Sequence, residues 1–224
     1  TGGSGCFVHP NMRSWAHPRS YARFDIYRRA AGIDDLESAD QQYLDGLLGM
    51  TRAQNPHGRF MLLAFDKVYR EDGQALPEST TFFVPNDYVL SFVRKHAELF
   101  LACASIHPYR RDAVRELERV AAGGACCIKW LPNVMHIDPA SPRCDAFYRT
   151  LARLGLPLLT HAGDEAAVEV RDAQRLGNPL RLRRALDAGV KVIVCHCASS
   201  GVGEDLDAAG QAKPGVANFD LFLR

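Results

Sequence analysis

The sequence lacks any hydrophobic run long enough to cross a bilayer. A transmembrane helix needs ~18 consecutive apolar residues, and the 224 residues contain no such run. No signal-peptide pattern is visible at the start of the chain either. These absences predict a cytoplasmic globular protein without a membrane partner.

The sequence also lacks an excess of either charge. There are 27 basic and 26 acidic residues, which gives a net charge of +1. Nucleic-acid-binding domains usually carry a clustered basic excess, so no nucleic-acid partner is expected. The local cluster of Arg181, Arg183 and Arg184 is interpreted as the solvated face of a helix. The expected partner is a small-molecule substrate, and a homo-oligomer is left open.

Nucleotide-binding glycine motifs are missing as well. No G-x-G-x-x-G and no G-x-x-x-x-G-K-[ST] follows a strand-like run. The glycine pair in GGACC precedes such a run instead of following it. An open nucleotide-binding sheet is therefore disfavoured.

The seven cysteines do not form the pattern of a disulfide framework. Their number is odd, and three lie inside apolar runs, which predicts reduced thiols in a cytosol-like compartment. Cys195 and Cys197 flank His196. In an extended strand, alternate side chains point to opposite faces, so both cysteines are interpreted as small apolar residues behind the strand and not as metal ligands.

What the sequence does contain is a series of short, almost continuously apolar runs. Continuous apolarity is typical of parallel strands that are covered on both faces. The runs are FMLLAFD (60–66), LFLACASIH (99–107), ACCIKWL (125–131), LPLLTH (156–161) and VKVIVCH (190–196). Helical patterns separate them, and the late repeats span 32 and 35 residues, as βα units do. The sequence predicts an α/β fold, either a doubly wound sheet or part of an eight-stranded barrel.

The first 59 residues differ from this rhythm. They are rich in Arg, His, Pro and Tyr, and Ser38 and Gln41 suggest a capping box ahead of one helix. We interpret residues 1–59 as a loop-and-helix excursion over the sheet, within a single domain that spans residues 1–224.

Ionisable residues stand at the ends of the apolar runs. Ligands of parallel α/β folds bind at the carboxyl ends of the strands. His161 and His196 end two successive runs, so their imidazoles are expected to converge and bind a metal ion. The alternative is that each ring is a hydrogen-bonded structural residue.

Lys129 and Glu165 are the predicted catalytic residues. Lys129 lies near the end of an apolar run. A desolvated, neutral amine there can react with carbon dioxide and become a carbamate that bridges metal ions, so Lys129 is also a candidate ligand. A structural lysine is the alternative. Glu165 follows His161 by four residues and is a candidate general acid or base.

Three further residues are candidates for substrate contact, namely His107, Arg110 and Trp130. His107 precedes Pro108, so its ring serves either packing or substrate contact. Arg110 could clamp a carboxylate, although a solvated arginine is the alternative. Asp66 is a candidate for orienting a histidine from behind.

The segments ACCIKWLPN, LPLLTHAGDE and VKVIVCHCASSG, in this order and spacing, resemble strands four to six of the amidohydrolase superfamily. The resemblance is closest to its branch of predicted metal-dependent TIM-barrel hydrolases. It implies a (β/α)8 barrel, present here as about five to six βα units, with one or two divalent ions. It places metal-binding histidines at His161 and His196 and a lysine, carbamylated in some branches, at Lys129. Zinc is the first expectation, and manganese, iron or nickel are alternatives.

The sequence departs from that family at both ends. No His-x-His occurs, and no aspartate of a last strand can be assigned, so further strands are expected before Thr1 and after Arg224. The resemblance implies a hydrolase in which metal-activated water attacks a C–N or C–O bond of a small polar substrate. The alternatives are a decarboxylase or hydratase type of lyase on the same barrel, or an inactive barrel-derived binding protein.

Overall fold

The computed structural model describes residues 4–54, 58–168, 170, 173–208 and 215–224. The strands in these ranges are β1 (Phe7–Val8), β2 (Phe60–Leu63), β3 (Phe82–Phe83), β4 (Phe100–Ala104), β5 (Ala125–Trp130), β6 (Leu158–Thr160), β7 (Val192–Val194), β8 (Val202–Gly203) and β9 (Val216–Ala217). The α-helices are α1 (Pro18–Ala30), α2 (Ala39–Arg52), α3 (Asn86–Lys95), α4 (Ala113–Ala122), α5 (Pro132–Met135), α6 (Asp145–Leu154), α7 (Arg183–Asp187) and α8 (Asn218–Phe222).

The centre of the fold is a five-stranded sheet in the order β2-β4-β5-β6-β7. All four neighbouring pairs are parallel, and each strand lies within one of the five predicted apolar runs. The α/β prediction is confirmed. The order follows the chain without reversal, as in a segment of a barrel wall.

The two faces of the sheet are buried to different extents. Ile128 and Trp130 of β5 are completely buried in the core that includes Tyr148 of α6. On the edge strands, Leu63 and Ile193 remain 44% and 48% exposed. Because strand side chains alternate between faces, the helix-covered face forms the main core. The opposite face, which a closed barrel turns inward, is open at both edges.

Two helix starts differ in whether a side chain caps them. The side chain of Asn178 accepts a hydrogen bond from the backbone N–H of Leu180 at 3.0 Å, as a capping residue does. The predicted capping box at Ser38 is wrong: Ser38 donates to Asp35, and Gln41 donates to Asp45 instead of reaching back. The acidic side chains nearby compete successfully for both groups.

The N-terminal excursion contains a helix that the sequence did not indicate. Helix α1 buries none of its residues, so it lacks the apolar stripe that reveals most helices. Pro18 at its first position and ion pairs of 2.7 Å from Arg28 and Arg29 to Asp25 support it locally. Strand β1 ties the excursion to the barrel through antiparallel pairing with β3.

Of the helices in the described ranges, none combines the length and apolarity that a bilayer crossing requires.

Replacement of Leu117 by Ala tests the core between helices and sheet. Leu117 of α4 is completely buried, so its truncation should lower the free energy of unfolding by about 2–5 kcal/mol. Leu186 of α7 is 54% exposed, and Leu186→Ala should change it by less than ~0.5 kcal/mol. Urea unfolding measures both variants, and equal effects would contradict the assignment of the core.

Candidate metal centre at the carboxyl ends of the strands

Two imidazoles meet where β6 and β7 end. Strand β6 ends at Thr160 and β7 ends at Val194, and the next residues carry the rings of His161 and His196 to the same edge. Nδ1 of His161 lies 2.9 Å from Nε2 of His196, and the ring centroids are 4.6 Å apart. The rings therefore converge, as their positions at successive strand ends suggested.

The hydrogen bonds of His161 define its tautomer. Its Nε2 lies 3.1 Å from the carbonyl oxygen of Gly163, which can only accept, so Nε2 carries the proton. Nδ1 then carries a lone pair, which accepts a hydrogen bond from Nε2 of His196. Burial lowers the pKa of His161, although Glu165 opposes this effect. A neutral ring whose other nitrogen is fixed by a backbone carbonyl is the form in which histidine binds metals.

The backbone after β7 turns sharply to present His196. His196, Cys197 and Ala198 have φ values of 41°, 54° and 50°, a left-handed conformation that non-glycine residues seldom adopt. Consecutive residues of this kind store strain, which is concentrated at functional sites. The chain places His196 on the surface beside buried His161 by means of this turn.

The same turn corrects the interpretation of the neighbouring cysteines. The strand alternation stops at Val194, so Cys195 does not point behind the sheet. Its Sγ accepts a hydrogen bond from Nζ of Lys129 at 3.1 Å, and Cys197 is exposed. Lys129 itself is 8% exposed. The lysine thus lies on the barrel-facing side, where its amine contacts a thiol.

Glu165 approaches the imidazole pair from the loop after β6. Its Oε2 lies 3.6 Å from Nδ1 of His161. Its Oε1 accepts hydrogen bonds from the backbone N–H groups of Ala167 and Val168. One oxygen therefore anchors the side chain, and the other faces the rings.

Asn133 and Gly177 support this loop, and neither was predicted from the sequence. Gly163 donates its N–H to the carbonyl of Gly177 at 2.7 Å, while Nδ2 of Asn133 donates to the Gly163 carbonyl at 3.0 Å. A Cβ on Gly177 would lie only 2.3 Å from that carbonyl oxygen. Both residues act over a distance of more than ten positions along the chain, and a single sequence gives no signal for such contacts.

His107 has a different environment from the imidazole pair. It is completely buried, its Nδ1 accepts from the backbone N–H of Tyr109 at 3.2 Å, and its Nε2 donates to the carbonyl of Met135 at 2.9 Å. Burial lowers its pKa to about 3. Both ring nitrogens are engaged by the backbone, which favours the packing alternative. Contact with a substrate stays a prediction.

Arg110 is held by internal carboxylates. It forms a two-pronged ion pair with Asp112 and also donates to Oδ2 of Asp66 at 3.0 Å. Burial alone would lower the pKa of Arg110, but the hydrogen bonds to these carboxylates raise it. Asp66 also accepts the backbone N–H of His107 at 2.8 Å. The sequence suggested that Asp66 orients an imidazole ring. In the structure Asp66 instead holds the backbone of a histidine.

Trp130 lies in the core. Its side chain is completely buried, its Nε1 donates to the carbonyl of Ile106 at 2.8 Å, and its ring packs against Phe147 and Tyr148. Strand alternation places it on the helix side, opposite to Lys129. With no exposed surface, the indole has the environment of a core residue, and substrate contact by Trp130 stays a prediction.

The chemistry of the imidazole pair fits two ligands of one divalent ion. Two nitrogens that each lie ~2.1 Å from an ion can be no more than about 4 Å apart, and these are 2.9 Å apart. Across the described ranges, no group of three or more His, Cys, Asp or Glu side chains is arranged to hold a metal. Two imidazoles by themselves are fewer ligands than a divalent ion such as zinc takes.

Comparisons with known proteins agree with the fold. The family model described as Amidohydrolase matches residues 68–216, which is more than half of the chain. A search of curated proteins gave no match. A solved structure of an uncharacterised TIM-barrel protein from Bordetella bronchiseptica superposes with a TM-score of 0.54 at 16% sequence identity. The match covers 80% of this chain and 59% of that protein, so this chain spans less than two thirds of that neighbour.

The buried ring of His107 should make stability depend on pH. Its pKa is about 3 in the folded chain, against an ordinary value of 6.5. Between these values the unfolded chain binds more protons than the folded chain. The contribution of the neutral ring to the free energy of unfolding is therefore fully present above about pH 6.5. It decreases as the pH falls toward 3, by up to about 1.4 kcal/mol per pH unit. Urea unfolding at several pH values should show a smaller dependence of the unfolding free energy on pH for His107→Gln, because glutamine cannot be protonated. An unchanged slope would contradict the burial of a neutral ring.

Gly177→Ala should disturb the loop that carries the candidate site. The new Cβ would meet the Gly163 carbonyl and, at 2.6 Å, Nδ2 of Asn133, so we expect a loss of roughly 1–3 kcal/mol of unfolding free energy. Gly46→Ala is the matched control, because a Cβ there meets nothing within 4 Å and lies in helix α2. That control should leave stability unchanged or raise it by about 0.5–1 kcal/mol. Thermal and urea unfolding would measure both, and a neutral Gly177→Ala would contradict the close approach.

Proposed function

Because this chain belongs to the amidohydrolase family, we propose that it carries the central part of the active site of a metal-dependent hydrolase. The proposed reaction is the attack of water on a C–N or C–O bond. The observation that carries the proposal is the convergence of His161 and His196 at the carboxyl ends of β6 and β7, where parallel barrels bind their ligands.

The proposed metal ligands are Nδ1 of His161 and Nε2 of His196, with zinc as the first candidate ion. A divalent ion bound there would lower the pKa of a water molecule and polarise the scissile group. The Gly163 carbonyl keeps the proton of His161 on Nε2, so Nδ1 presents a lone pair, and Nε2 of His196 has to release the proton that it donates to Nδ1. Lys129 is proposed as a further ligand, and for that role its amine has to leave Cys195.

Glu165 is proposed as the proton carrier. Its Oε1 is anchored by two backbone N–H groups, while Oε2 faces the rings at 3.6 Å from His161. A fixed carboxylate with one oxygen directed at the reacting region can accept a proton from water and return it to the leaving group. A lyase of the decarboxylase or hydratase type would use the same strand ends, so the products decide between these reactions.

Replacement of the two histidines tests the proposed metal ligands. His161→Asn and His196→Asn should each weaken zinc binding at least about tenfold while the circular dichroism spectrum is retained. His96→Asn is the matched control, since His96 lies at the end of α3 and before β4, at the opposite end of the strands from the site. Metal content after dialysis against zinc gives the result, and retention of zinc by both site variants would refute the ligand assignment.

The full-length protein in its metal-loaded form then tests the reaction. Amides, esters and lactones should be hydrolysed, with released acid and ammonia measured separately from carbon dioxide. Activity should disappear in His161→Asn and persist in His96→Asn. Carbon dioxide as the main product would overturn hydrolysis in favour of a lyase.

A further inference from the structure

A large cleft lies between the N-terminal excursion and the carboxyl ends of the strands. It encloses about 1160 Å³, which exceeds the ~300–1,000 Å³ typical of small-molecule sites. Most of its wall is apolar and includes Phe24, Leu44 and Phe82. Tyr27, 53% exposed, and Tyr43, 49% exposed, also face it. Such a space suits a ligand with an extended apolar body.

One end of the cleft reaches the loops of the candidate metal centre. Asn133 and His136, which follow β5, and Ala167 and Val168, which follow β6, line this end. Ala167 and Val168 donate the two N–H groups that anchor Glu165. Nη1 of Arg23 in α1 reaches the Ala167 carbonyl at 3.4 Å. A ligand in the cleft therefore lies against the loop that carries His161 and Glu165.

The cleft carries cations without matching carboxylates. Arg13, Arg19 and Arg23 line it, and within the described ranges none of them forms an ion pair with a carboxylate. Arg19 and Arg23 lie one helical turn apart on α1, a spacing at which like charges repel. An anion at this position would relieve that repulsion.

The other charged groups in the wall do not cancel these arginines. Arg28 is neutralised by Asp25, which does not line the cleft. Asp40 accepts a hydrogen bond from Ser4, and Glu78 is an exposed carboxylate at the rim. Among the described residues of the wall, three arginines without a carboxylate partner therefore outnumber these two acids, so this part of the wall is positive.

We infer that the cleft binds an amphipathic organic anion, with its carboxylate at Arg19 and Arg23 and its apolar body along the aromatic wall. The inference replaces the small polar substrate expected from the sequence with a larger one. The description of this anion as the substrate rests on the proposed hydrolase function, whereas its binding does not. Guanidinium groups bind carboxylates through paired hydrogen bonds, and the apolar wall would hold the hydrocarbon.

Calorimetric titration with decanoate, decanol and acetate tests the inference on the zinc-loaded full-length protein. Decanoate should bind, affinity should rise about fourfold per methylene in a series from hexanoate, and acetate should show no measurable binding. The double variant Arg19→Gln with Arg23→Gln should weaken decanoate at least tenfold and leave decanol unchanged. The single variant Arg13→Gln provides a second, milder test in the same direction.

A control double variant removes two arginine charges outside the cleft. Arg115 of α4 and Arg149 of α6 are exposed and do not line the cleft, so Arg115→Gln with Arg149→Gln should bind decanoate as the wild type does. Equal affinities in both double variants, decanol binding as tightly as decanoate, or binding only to anionic phospholipid vesicles would each overturn the inference. Zinc content measured in the same samples separates the two proposals, since the cleft variants should keep zinc and His161→Asn should keep decanoate binding.

Discussion

The parallel register of β5, β6 and β7 is the constraint on which the candidate site depends. Trp130 pairs with Thr160, and Thr160 pairs with Val194, so these strands end level with one another. His161 is then the first residue beyond β6, on the face opposite to Thr160, and it points toward the barrel side together with Lys129. A shift of one residue would turn both side chains toward the helices. The hydrogen-bond ladder of the sheet therefore decides which side chains can meet.

The strands and the imidazole pair could be predicted from the sequence because both depend on local pattern. Continuous apolar runs indicate strands such as β6. A histidine at the end of such a run can be assigned to a binding site because parallel α/β folds bind ligands at the carboxyl ends of their strands. The environment of Arg110 could not be predicted in this way, since its partner Asp66 lies 44 positions away. The exposed helix α1 and the turn at His196 were also missed, because neither leaves an apolar period in the sequence. Local pattern thus identified the scaffold, whereas long-range polar contacts required the structure.

The structure separates two kinds of histidine that look alike in sequence. Both nitrogens of His107 are bonded to backbone groups, and these partners form part of the fold. His161 is bonded to the backbone through Nε2 only, and its Nδ1 meets the side chain of His196. A side chain can move away from a ring nitrogen, whereas a backbone group in a packed segment cannot. Of these two histidines, only His161 therefore has a nitrogen that can bind a ligand. Burial lowers the pKa of both rings, and burial alone therefore does not distinguish them.

The Gly163 carbonyl connects the imidazole pair with Asn133, a residue of the cleft wall. It accepts from Nε2 of His161 at 3.1 Å and from Nδ2 of Asn133 at 3.0 Å, and Asn133 lines the cleft. Oδ1 of Asn133 is buried and has no hydrogen-bond partner among the described residues, so this amide is incompletely satisfied. A ligand that reoriented Asn133 would change the donors around the carbonyl that fixes the tautomer of His161. The Gly163 carbonyl is therefore the atom at which a residue of the cleft wall and the ring of His161 meet.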